Sequence, residues 1–180
     1  MHLGCRVTEK LIRALSWKYI DRQLLIQAAT QQKSSLKNTL LAVNLFLAKY
    51  CKQYRIIERE PKTDTADSGL LDANNSMSGD EVEQFWKAKD EIIAFFSDGA
   101  DAPWIANLKA FVPHWVFLLG WSHKKTRPTD GEKTQIEEHQ KQFGLLFLEL
   151  FNPKDVTPYV HITACHLLYY LSFLPMYVKL

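Results

Sequence analysis

The feature that most constrains this chain is the spacing of its apolar residues, which recurs at three and four and nowhere sustains the alternation of two that a sheet requires. Leu36, Leu40, Val43, Leu47, Tyr50, Tyr54 and Ile57 step alternately by four and three, the rhythm of a helix stripe laid against a partner. Val7, Leu11, Leu15 and Tyr19, with Ile12, Leu24, Leu25 and Ala28, carry the same period from a cap at Thr8 toward Gln32. The expected fold is therefore all-α: a single domain over residues 1–180, a helical bundle of about six helices with a long acidic loop.

Punctuation divides the bundle. Ser78 and Glu81 have the spacing of a capping box and open a third helix, on which Val82, Phe85, Trp86, Ile92, Ile93 and Phe96 mark one face until Asp98-Gly99 ends it. Pro103 suits the first turn of a fourth helix, which should bend or break near Pro113 and finish at Gly120. Its load of Trp104, Phe111, Trp115, Phe117 and Trp121 places it centrally in the core. Beyond a polar loop from Ser122 to Asp130, a fifth helix carries Ile136, Phe143, Leu146, Phe147 and Leu150 and stops at Asn152-Pro153. Thr157-Pro158 then caps and starts a sixth. Residues 58–79 hold Pro61, Gly69, Gly79 and the polar run Asp72 to Ser76, and read as a flexible loop.

Composition bounds the setting. With 180 residues, 47% of them apolar, one packed core forms without staples. Cys5, Cys51 and Cys165 are far apart and odd in number, so no disulfide framework is expected and a reducing compartment is the simpler home. Arg6, Glu9, Lys10 and Arg13 interrupt what a secretory signal needs, and the apolar stretch Ala110 to Trp121 is too short to span a bilayer. The expectation is an intracellular protein, nuclear or cytoplasmic, with no membrane partner.

Charge is unevenly spread. Residues 1–57 carry ten Lys/Arg against two Asp/Glu, whereas residues 58–101 carry four against twelve. One reading makes Lys10, Arg13, Lys18, Arg22, Lys33 and Lys37 a basic face that tracks DNA phosphates without reading bases. The other, cheaper in electrostatic energy and favoured here, lays the acidic segment over the basic helices and neutralises them internally.

Several chemistries lack their residues. The chain has no glycine-rich phosphate loop, no Gly-x-Ser-x-Gly, no His-Glu-x-x-His and no Cys-x-x-Cys, so no complete active site is expected and no enzyme. The notable cluster is His161-Ile162-Thr163-Ala164-Cys165-His166. On a regular helix His161 and Cys165 share a face, whereas His161 and His166 diverge by about 140°. The metal reading takes His161, His166 and Cys165 as ligand candidates, with zinc as the ion; the plain reading makes Cys165 a small core residue and one histidine a buried hydrogen-bonding group. His114 lies in an aromatic segment, His123 and His139 read as loop and helix-surface residues, and an approach of His114 to the cluster is left open.

Lys154-Asp155-Val156-Thr157-Pro158-Tyr159-Val160-His161, continuing to His166 and preceded by a helix ending Phe147-Leu148-Glu149-Leu150-Phe151, resembles the end of the helical insertion in RNase H-fold transposases and recombinases of the RAG and Transib type. The likeness spans residues 132–170. It implies that His161 and His166 match the two histidine zinc ligands of a Tyr-x-His-x-x-x-x-His segment. The family's Cys-x-x-Cys is absent, no acid follows His166, and the strands that carry its catalytic aspartates are not seen. The resemblance therefore implies a non-catalytic helical domain, transposase-derived, with DNA or protein as partner. The alternative is an unrelated helical protein–protein interaction module.

Overall fold

The structure is a computed structural model that describes residues 3–30, 35–58, 71–124 and 126–172. It is predominantly α-helical, as the apolar period requires. The helices are α1 (Leu3–Ala29), α2 (Leu36–Leu47), α3 (Gly79–Lys87), α4 (Lys89–Phe96), α5 (Ala102–Ser122), α6 (Asp130–Leu150), α7 (Pro158–His161) and α8 (Leu167–Ser172). A π-helical turn, Ile162–His166, joins the last two, and strands β1 (Ile56–Glu58) and β2 (Leu71–Ala73) form one small antiparallel pair. The chain gathers into two compact units, residues 8–100 and residues 1–7 with 101–180.

In the unit of residues 8–100 the core is aromatic. The Phe95 ring stacks between Phe46, at 4.1 Å, and Tyr19, at 4.8 Å, and the fully buried Phe96 stands edge-on to all three. Such offset and edge contacts add about 0.5–1.5 kcal/mol per pair beyond the area they bury. Ser78 accepts from the Glu81 backbone N–H while the Glu81 carboxylate accepts from the Ser78 N–H, so the expected box opens α3.

Several boundaries differ from the sequence reading. α1 begins at Leu3, so Thr8 lies inside it and is not its cap. The stripe expected to run helically to Ile57 leaves the helix at Leu47, because the Asn44 side chain clamps Ile56: its Oδ1 accepts from the Ile56 N–H at 2.9 Å and its Nδ2 donates to the Ile56 carbonyl at 2.8 Å. Tyr54 and Ile56 are still fully buried, but from an irregular link and a strand, whereas Ile57 is exposed. The loop expected over residues 58–79 accordingly begins and closes in paired strands, with Glu58 opposite Leu71, while 59–70 lie outside the described residues. The third expected helix is also two, α3 and α4, parted at Ala88, whose φ of −91° and ψ of 28° leave the helical well. Gly99, at φ 70°, ends α4's turn in the left-handed region, as expected of a glycine stop.

In the other unit α5 and α6 pack as an antiparallel pair around Phe111, Trp115, Phe143, Phe147 and Phe151, all buried. Pro113 does not break α5, which runs on to Ser122. The lost bond and ring clash cost about 3 kcal/mol, and burial of Val112 and Trp115 on either side of the proline offsets that cost. A second capping box, Thr129 with Glu132, opens α6. Thr157 caps α7 with Pro158 behind it, as the sequence indicates. Among the described residues no helix is long and apolar enough to cross a membrane.

Candidate functional site

The π-turn decides which side chains of the His-Cys-His segment meet. In an α-helix residues five apart diverge, but the i→i+5 closure of a π-turn inserts one residue and returns them to one side. His161 and His166 therefore lie together: their Nε2 atoms are 3.2 Å apart and their ring centroids 4.9 Å. Both histidines are exposed, and Cys165 is exposed beside them. The plain reading fails here, since neither histidine is buried and Cys165 is not a core residue.

Two hydrogen bonds shape the turn, one of them from α6 behind it. The buried Gln140 of α6 donates its Nε2 to the Thr163 carbonyl at 2.9 Å. The Thr163 hydroxyl donates back to the Tyr159 carbonyl at 3.0 Å, a bond that loosens regular helix geometry. α6 also runs close behind the turn at Gly144, where a Cβ would stand 3.4 Å from that of Ala164, an ordinary van der Waals contact. Val160, Thr163, Leu167 and Leu171 turn inward while Tyr159, His161, His166, Tyr169 and Tyr170 face out.

The pair fits the bite of a tetrahedral ion. Two Zn–N bonds of about 2.0–2.1 Å at the tetrahedral angle set their nitrogens about 3.3–3.4 Å apart, against the 3.2 Å observed. A closed zinc site takes four ligands, and among the described residues no three His, Cys, Asp or Glu side chains converge on a metal position. Cys165 thus does not complete the set with the two histidines; the chain presents two nitrogens.

A second histidine pair escaped the sequence. His114 does not join the first cluster; its Nδ1 lies 3.0 Å from Nδ1 of His139, whose ring stacks on Phe117 at 3.8 Å and 11°. Both are half-buried, so His139 is not the plain surface residue expected. Burial holds His114 below the ordinary histidine range, against the Glu138 carboxylate. Burial and then His114 do the same for His139. One shared proton fits between the two Nδ1 atoms, and two do not. Nothing in local spacing links residues on facing helices, so no sequence signal pointed to this pair.

Two members of the basic set are turned to internal use. Arg13 donates to Asp72 at 3.2 Å, and Arg22 donates to the Phe96 carbonyl. Lys49 pairs with Glu91 at 3.7 Å, and the backbone N–H of Lys52 donates to Glu81 at 2.7 Å. Asp72 of the acidic segment thus pairs with Arg13 of α1, and Glu91 with Lys49 just beyond α2. Lys10 and Lys18 are half-buried, Lys37 is exposed, and Lys33 lies outside the described residues. Arg13 and Arg22 are thus engaged within the fold and are not free to track phosphates.

Compared with protein-family models, with curated proteins and with solved structures, the chain matches none.

Proposed function

We propose that this chain is a non-catalytic helical binding module, derived from the helical insertion of a RAG/Transib-type transposase, in which His161 and His166 keep half of a zinc site and the partner is a protein. The observation that carries the reading is the π-turn that sets two exposed Nε2 atoms 3.2 Å apart. The resemblance implies two zinc-ligating histidines at these positions, and a π-turn is the device that brings residues five apart onto one metal. Zinc held there supplies a structural cross-link, since it is redox-inert and two protein ligands do not make a catalytic cage. A protein partner is favoured over DNA because Arg13 and Arg22 are engaged within the fold.

Titration with Co²⁺, a spectroscopic stand-in for zinc, tests this. Visible d–d absorption should appear with the native chain, be displaced by Zn²⁺, and vanish in His161→Ala and in His166→Ala, whose exposed positions leave the fold intact. Native protein that takes up neither ion above the level of the variants refutes the reading.

A further inference from the structure

We infer that the partner completing this site is a second copy of the same chain, two His161–His166 pairs closing on one divalent metal ion. The inference rests on the zinc half-site proposed above. Each chain brings two nitrogens with the spacing of a chelate, and no third donor converges on them among the described residues. A two-fold axis through the metal duplicates a pair into a tetrahedral set of four with no other protein needed, which is the self-complementary logic of isologous dimers.

The surroundings suit such a contact. Tyr169 and Tyr170 follow His166 by three and four residues, which puts them on its side of the helix. They are 63% and 48% exposed, and their rings meet edge to face at 5.9 Å. Tyrosine contributes large contact area at low entropic cost and is enriched at the centres of interfaces. No Asp, Glu, Lys or Arg occurs from Val156 to Ser172, so two copies of this stripe meet without facing like charges.

The test is sedimentation of the full chain with Zn²⁺ alone, together with metal stoichiometry. The expected result is one ion per two chains, a doubling of mass on metal addition, reversal by a chelator, and loss of both effects in the His161→Ala/His166→Ala double variant. Tyr169→Ser should weaken the dimer while the Co²⁺ spectrum of the loaded protein keeps its tetrahedral form. One ion per chain on a monomer overturns the inference and leaves the half-site reading standing; a dimer that forms equally without metal overturns it as well. No metal uptake at all overturns both.

Discussion

Replacing Gln140 by leucine separates the π-turn from the helix that supports it. The side chain is 5% exposed and its amide donates to the Thr163 carbonyl at 2.9 Å. Leucine is close in volume, so the change removes the donor without opening a large cavity. A buried carbonyl that loses a bonding partner costs about 1–3 kcal/mol. For a chain of this size each kcal/mol moves the thermal midpoint by about 2–4 °C, so a loss near 2 kcal/mol lowers it by about 4–8 °C. The larger consequence is on the site. With the turn unsupported, His161 and His166 drift toward the angular separation of a regular helix, and Co²⁺ affinity falls by about 10–100-fold, the range typical of lost outer-shell support. Circular dichroism melts and a Co²⁺ titration of the same preparation measure the two effects. A variant that melts lower but binds Co²⁺ as tightly as the native chain refutes Gln140 as a positioning residue; one that changes neither quantity refutes the account of the turn.

Two further outcomes follow from the same geometry. His114 and His139 are held neutral by burial, with pKa values below the ordinary 6.5; their contribution to stability is full above that value and is lost as pH falls below it, because the unfolded chain takes up protons first. The thermal midpoint should drop between pH 7.5 and 5.5 more steeply in the native chain than in His139→Phe, and equal slopes would remove the pair from the explanation. Asn44→Ala takes both bonds from Ile56 and should cost about 1–3 kcal/mol, with hydrogen exchange at Ile56 rising before that in α5; unchanged protection there would show that the clamp does not hold the strand.

Helix existence was legible where a local chemical signal agreed with the apolar period. Ser78 with Glu81 and Thr157 with Pro158 set their helix starts by hydrogen bonds within four residues. Boundaries set by distant partners were not legible. Tyr50, Tyr54 and Ile57 continue a helical count, yet Asn44 turns the chain into a strand, and burial of Tyr54 satisfies the same apolar pattern from another backbone. Pro113 carries a strong local signal that core packing overrides. The histidine segment was legible as a composition, but its register was not, since the π-turn is supported by Gln140 in another helix.

That register is also what gives the segment its chemistry. A continuous α-helix through these residues would pair His161 with Cys165 and send His166 to another side. The inserted residue exchanges that nitrogen–sulfur pair for two imidazole nitrogens, 3.2 Å apart. π-Turns are rare and are frequently found at functional sites. Here a buried glutamine and a back-bonding threonine converge on one turn. Leu167 and Leu171 bury beyond the turn, so the inserted residue is absorbed without rotating the apolar stripe of α8 out of the core. Removing that residue would therefore face two opposed demands: keep α8 packed and lose the histidine register, or rotate α8 and expose two leucines. The present arrangement satisfies both, and it is the exposed histidine pair, rather than the core, that distinguishes it from an uninterrupted helix.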